Sequence, residues 1–237
     1  MNFVELETIA SRAWPAAREG AIGGWRLYAS AGFSGRINAC WPLEDPGLPM
    51  AQAVEAVEAW YATQGLPPLF KIVGDGSSLT NHLETLGYRS RTETLMMLGA
   101  SRGIVDPEVI LTDRVGPSFE AVFLASEADP ADARERLDTL ARIPQPRIFA
   151  RFADSAIGAA AVEGEWAGVF AMRTAPGARR QGLARRVLAS LLGAVHLKGC
   201  RRVWLQVEAD NRAAVSLYAS AGFQEAYRYR YWRRPPG

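Results

Sequence analysis

The 237-residue chain has little chemistry of the metal-binding or disulfide kind: two cysteines, Cys40 and Cys200, and two histidines, His82 and His196. The cysteines lie in different halves, and neither has a neighbour at metal-ligand spacing. That excludes a disulfide framework or a zinc ribbon, leaves no metal to expect, and suits buried thiols in a reducing compartment. The histidines read as surface or packing residues. No apolar run approaches the ~18 residues that a membrane-spanning helix needs. The opening MNFVELETIA has no basic residue and two glutamates, so no signal peptide is expected and a cytoplasmic location is. Neither charge sign dominates, at a formal net charge of +2. A Walker Gly-Lys-Ser/Thr loop and a dinucleotide G-x-G-x-x-G are both missing.

What is present suits two modest cores, at 49% hydrophobic residues. The heptapeptide LYASAGF occurs twice, at Leu27–Phe33 and Leu217–Phe223. The flanks separate the copies. The second follows EADNRAAVS, where Asp210 and Asn211 are cap-type residues and Ala214, Leu217 and Ala221 recur at helical spacing. Gly222 closes that helix and an aromatic strand follows. The first follows GAIGGW, whose paired glycines argue against a helix, and precedes the alternating SGRINACWPL, so it reads as a strand running into a turn.

A longer correspondence spans the chain. Leu69–Met97 and Trp204–Trp232 both read strand, acidic turn, helix, Gly-aromatic, strand, at a constant offset of 135 residues (Leu69 against Trp204). Upstream, QAVEAVEAWYATQG matches ARRVLASLLGAVHLKG, and Pro42 matches Pro176, each at an offset of 134. Two related units are therefore expected, 1–103 and 104–237, divided in the Gly-, Ser- and Pro-bearing stretch LGASRGIVDPE. Alternating strands and helices indicate an α/β sheet covered on both faces.

Charge is unevenly distributed. From Met172 to Arg202 there are eight basic residues (Arg173, Arg179, Arg180, Arg185, Arg186, Lys198, Arg201, Arg202) and no acid. A solvated helix face and a polyanion site both fit that pattern, but no aromatic residues accompany it for base stacking, so nucleic acid is not favoured. Within this stretch a strand ends at AMRTAP and an arginine-rich loop opens a helix with an apolar stripe of Leu183, Val187, Leu188, Leu191, Leu192 and Val195. Gly182 and Ala184 let a ligand approach the backbone of the first turn, whose N–H groups and dipole suit a phosphate.

These residues resemble the GNAT superfamily of acyl-CoA-dependent N-acetyltransferases. That family's R/Q-x-x-G-x-G/A pyrophosphate loop stands here as Arg179-Arg180-Gln181-Gly182-Leu183-Ala184. Its N-x-x-A-x-x-L-Y-x-x-x-G-F element stands here as Asn211, Ala214, Leu217, Tyr218, Gly222 and Phe223. The resemblance covers residues 108–237. It implies a mixed, mainly antiparallel sheet whose central parallel strands splay apart, with helices on both faces. It implies acetyl-CoA as cosubstrate and a small-molecule or protein amine as acceptor, with direct attack in a ternary complex. It assigns backbone contacts to Met172 and Thr174, the pyrophosphate to the Gln181–Ala184 amides beside Arg179 and Arg180, the pantetheine arm to Asn211, and the leaving thiolate's proton to Tyr218.

The general base stays open. The strand AGVFAMRT has no acid, leaving Glu163 and Glu165 before it, Glu208 after the next strand, or a water relay. In the first half the loop positions fall on DPGLPM, while Gly76 and Leu83 stand where Asn211 and Tyr218 stand. This resembles the tandem arrangement of mycothiol synthases, with one decayed unit and one active site. Two rival readings are a non-catalytic acyl-CoA-binding or regulatory module and a nucleic-acid-binding protein.

Overall fold

The computed structural model describes residues 2–74, 78–126 and 128–235. The chain forms two units that do not follow the linear order. Unit 1 comprises Met1–Leu95, Glu208–Asp210 and Tyr227–Gly237; unit 2 comprises Met96–Val207 and Asn211–Ala226.

Unit 1 begins with helix α1 (Phe3–Ala13), capped by the Asn2 side chain, which accepts the Glu5 N–H at 2.9 Å. Strands β1 (Arg18–Ile22), β2 (Trp25–Ala29) and β3 (Cys40–Pro42) follow, antiparallel in sequence. Helix α2 (Met50–Thr63) crosses over to β4 (Phe70–Val73), which runs parallel to β3. Helix α3 (Ser78–Thr85) leads into β5 (Arg89–Ala100). The end of the last strand, β11 (Gln224–Arg233), pairs antiparallel with β4 from Tyr229↔Val73 to Trp232↔Phe70, giving the order β1-β2-β3-β4-β11. One face of this sheet buries Trp25, Leu27, Phe70 and Ile72 against Val54, Val57, Tyr61 and Leu83. The glycine pair that argued against a helix closes the β1–β2 hairpin. Gly23 has φ +52, and a Cβ on either Gly23 or Gly24 would strike the segment Glu44–Pro46.

Unit 2 holds β6 (Val109–Thr112), α4 (Pro117–Ser126), α5 (Pro130–Arg142), β7 (Arg147–Phe152), β8 (Ala156–Glu163), β9 (Trp166–Thr174), α6 (Leu183–Leu197), β10 (Arg202–Glu208) and α7 (Arg212–Ser220). Its strand order is β5-β10-β9-β8-β7-β6, antiparallel from β6 to β9 and parallel between β9 and β10. This is the expected mixed, mainly antiparallel sheet. Helices cover both faces: the Met172 side chain lies toward Val187 and Leu191 of α6, and Arg173 lies 5.3 Å from the Phe123 ring of α4. The α6 stripe is buried from Val187 to Val195, while Leu183 is only half-buried at the helix mouth.

The 135-residue offset holds element by element. It carries β4 onto β10, α3 onto α7 and β5 onto β11, and an offset of 134 carries α2 onto α6. Helices α3 and α7 close alike. Gly87 (φ +84) is followed by Tyr88, whose N–H reaches Leu83 O at 2.9 Å; Gly222 (φ +90) is followed by Phe223, whose N–H reaches Tyr218 O at 3.0 Å. Only glycine takes this left-handed position without strain, which is why Gly-aromatic recurs. The two copies of LYASAGF are strand-to-turn and helix, as their flanks indicated. Gly76 lies outside the described residues.

The boundary at 103/104 does not coincide with the units. The chain passes from unit 1 to unit 2 inside β5, at Leu95/Met96, and returns inside β11, at Ala226/Tyr227. A fragment of residues 104–237 lacks the Met96–Ala100 portion of unit 2 and carries Tyr227–Arg233 without its β4 partner. We expect no cooperative thermal transition for that fragment by circular dichroism; a sharp one would show that unit 2 folds without β5.

Candidate active site

The site begins where two strands part. The β9–β10 ladder runs from Trp166↔Arg202 to Val169↔Leu205 and stops, although β9 continues to Thr174 and β10 to Glu208. The cause lies in β9. On its other side Ile157 pairs with Arg173 and Ala159 with Phe170, so Ala171 and Met172 together oppose Gly158. This is a β-bulge, which bends its strand and frees backbone groups from the ladder. Ala171 takes φ +51, a left-handed conformation that costs a non-glycine residue on the order of 1 kcal/mol.

From Thr174 a short turn over Pro176–Ala178 leads to Arg179, then Arg180 at φ +62 and Gly182 at φ +78. Gly182 is the N-cap of α6, and its carbonyl accepts the N–H groups of Arg185 and Arg186 at 3.0 and 3.2 Å. The N–H groups of Gln181, Gly182, Leu183 and Ala184 have no acceptor among the described residues. Successive amides in such a turn form an anion cradle, and the dipole of α6 adds to it. The first turn of α6 has no acid of its own, the nearby Asp106 and Glu108 are paired with Arg186, and Arg179, Arg180 and Gln181 are exposed. A Cβ on Gly182 would meet nothing within 4 Å, so glycine is needed here for its φ and for open access. The donor set fits a pyrophosphate.

Asn211 and Tyr218 come from α7. The Asn211 side chain caps that helix, accepting the Ala214 N–H at 3.1 Å, which leaves its amide nitrogen for other partners. Tyr218 is 7% exposed and packs edge-on against Phe223, ring centroids 6.1 Å apart. Arg185 of α6 reaches Ser220 of α7 at 3.3 Å, which sets the two helices side by side.

Two candidate carboxylates, Glu163 and Glu165, fall at the starting end of β9, whereas Glu208 lies at the far end of β10, beyond the last β9–β10 pair. Glu165 lies in the β8–β9 hairpin, where its carbonyl accepts the Arg201 and Arg202 N–H groups at 3.0 and 3.1 Å. That is the starting end of β9. Six residues of strand, about 20 Å, separate Trp166 from the bulge at Met172. Glu165 is therefore too far to act as a base at the bulge, and Glu163, at the end of β8 in the same hairpin, is equally remote. Glu208 ends β10, is exposed and falls in unit 1. His196 does serve packing: its Nδ1 lies 3.1 Å from Ser101 Oγ, which bonds Cys200 O. The bulge residue Ala171 and its partner Gly158 escaped the sequence reading; the one signal was a lone glycine in the strand AIGAAAVE.

The N-terminal counterpart of the loop, Asp45–Met50, makes no cradle. Asp45 O accepts the Gly24 N–H at 2.7 Å, Asp45 Oδ1 accepts the Gly47 N–H at 2.7 Å, and Pro49 occupies the N-cap of α2.

Known proteins resemble the chain along its whole length. The uncharacterized N-acetyltransferase YobR of Bacillus subtilis (strain 168) is 25% identical over 248 aligned residues, covering 96% of each protein. The [ribosomal protein bS18]-alanine N-acetyltransferase of Escherichia coli (strain K12) is 42% identical over 58 residues, 24% of this chain and 39% of that one. Among solved structures, a GCN5-related N-acetyltransferase from Kribbella flavida shares the fold with a TM-score of 0.69 at 15% identity, over 99% of this chain and 96% of that chain. A tandem GNAT protein from the clavulanic acid biosynthesis pathway does so at 0.61 and 11%, over 98% and 88%. Fold and relatives together define an acyl-CoA-dependent N-acetyltransferase of the GNAT superfamily. Within it, the model described as "Probable histone acetyltransferase Rv0428c C-terminal" matches residues 2–232, and the chain belongs to that family. No helix of the described residues is long and apolar enough to cross a membrane.

Proposed function

We propose that the protein transfers the acetyl group of acetyl-CoA to a primary amine, by direct attack within a ternary complex. The observation that carries this reading is the run of four unpartnered amides, Gln181 to Ala184, next to the point where β9 and β10 part. Such amides hold a pyrophosphate, and Arg179 and Arg180 add charge-assisted contacts. The backbone of Met172 and Thr174, beyond the last β9–β10 pair, takes the amide groups of the pantetheine arm, and the Asn211 side-chain amide adds a further contact. The amine nitrogen bonds to the thioester carbon, the C–S bond breaks, and Tyr218 gives its hydroxyl proton to the departing sulfur. The extra proton on nitrogen leaves through water, since the β9 strand offers no carboxylate. Small-molecule and protein amines both suit this chemistry; the E. coli relative acts on an alanine of a ribosomal protein.

We further read the N-terminal half as a decayed counterpart, 1–103 against 104–237, with one acetyl-CoA site per chain. The repeated element order supports this, together with the self-bonded Asp45–Met50 segment and the fully buried Leu83 at the place of Tyr218.

The test is thiol release from acetyl-CoA by the full chain, screened over amines and basic peptides. Release that requires both chain and amine is the expected result. Acetyl-CoA bound without transfer to any amine would reduce the protein to a binding module, and no binding would remove the reading. Arg179→Ala should weaken acetyl-CoA about tenfold by calorimetry, with a shallower salt dependence, as expected for loss of one charge-assisted phosphate contact. Unchanged affinity would place the pyrophosphate elsewhere.

A further inference from the structure

The bulge in β9 has a built-in support on the α6 side of the sheet. A Cβ placed on Gly158 would lie 2.5 Å from Met172 Sδ, 2.9 Å from Leu191 Cδ1 and 3.1 Å from Val187 Cγ1. The Met172 thioether thus occupies the space in which any other residue at 158 would carry its side chain. It is held there by two α6 side chains that are themselves fully buried. Gly158 is also the single residue that faces the two bulged residues. Regular pairing would place one residue of β9 opposite Gly158; the absent side chain lets Met172 tuck beneath the strand while Ala171 is extruded at φ +51. The left-handed Ala171 would relax to regular pairing unless packing opposed it, and Met172 supplies that packing.

We infer that Gly158 and Met172 form a lock that holds the β9 bulge, and with it the parted strands, in the geometry the cofactor arm requires. The inference rests on the function proposed above. Gly158 touches no substrate and is a positioning residue. The Met172 side chain has the same role, separate from its backbone contact. An alanine at 158 displaces the thioether, shifts the bulge and misplaces the backbone groups in the gap. Misplacement on this scale costs up to about a hundredfold in rate.

Two readouts on the full chain test this. In the cofactor-free protein, Gly158→Ala should change the amide hydrogen-exchange protection of Phe170 to Arg173. In calorimetry and turnover, Gly158→Ala and Met172→Ala should each weaken acetyl-CoA, while Gly158→Ala/Met172→Ala recovers most of the loss, because the new methyl then fills the vacated space. Strictly additive losses in the double variant, or a folded Gly158→Ala protein with unaltered protection and affinity, would overturn the lock. A wild-type chain that binds no acetyl-CoA overturns the functional reading and the positioning role with it. Hydrogen exchange then still decides whether the two residues hold the bulge.

Discussion

Lys71→Ala should destabilise the protein by about 3–5 kcal/mol, the usual range when one member of a buried ion pair is removed. The Lys71 side chain is 1% exposed and that of Glu7 is 0% exposed, with Nζ and Oε2 2.5 Å apart. Glu7 Oε1 also accepts the Tyr227 hydroxyl at 2.9 Å, and the ammonium lies 3.7 Å from the Trp41 ring centre and 4.1 Å from that of Tyr229. Burial pushes the Lys71 pKa down to about 8 against the pull of Glu7, so near neutral pH the amine still carries its proton. Removing it strands the Glu7 carboxylate in an aromatic interior. Urea unfolding followed by tryptophan fluorescence measures the loss.

The repaired variant separates charge from shape. Lys71→Met with Glu7→Leu removes both charges but leaves the Tyr227 hydroxyl without its acceptor, so Tyr227→Phe must accompany them. That triple variant should regain most of the stability, because apolar replacements of similar volume often match or exceed a buried ion pair. A single Lys71→Ala variant within about 1 kcal/mol of wild type, the size of an ordinary surface or minor core change, would mean that water or a shifted side chain already compensates Glu7.

Lys71 and Glu7 also illustrate why part of the structure escapes a reading of the sequence. They are 64 positions apart, and a charge at a strand position reads as solvent-facing until its partner is known. The elements that were legible carry local signals. Asn211 and Gly222 bracket α7 by a cap and a left-handed closure, and Gly182 opens α6. The 135-residue offset reflects the same local grammar written twice. Pairing between distant strands has no such signal. That β5 changes units at Leu95/Met96, and β11 at Ala226/Tyr227, depends on which strands lie beside them. The bulge depends on register against β8, so Ala171 looks like any strand alanine. Glu165 was a plausible base only because a sequence does not say how far along β9 the strands part.

Tyr218→Phe should lower kcat by about 10²-fold, the usual scale for a general acid, while acetyl-CoA affinity stays near wild type. The substitution removes one oxygen and keeps the ring, so the edge contact with Phe223 and the buried face of α7 should survive. The Phe223 N–H to Tyr218 O bond that closes the helix involves backbone alone and is untouched. A proton donor to the departing sulfur acts as the C–S bond breaks. Its loss therefore raises the barrier and leaves ground-state binding in place. The pattern distinguishes Tyr218 from Arg179, whose replacement should act on affinity first. Thiol release under saturating acetyl-CoA and amine, followed across pH, gives kcat, and calorimetry with the unreactive thiol gives affinity. An acceptor whose chemical step is shown to limit turnover is required, since slow product release would hide the effect. If kcat is unchanged under those conditions, the thiolate leaves unaided or takes its proton from water. Tyr218 then serves only the packing of α7 against Phe223.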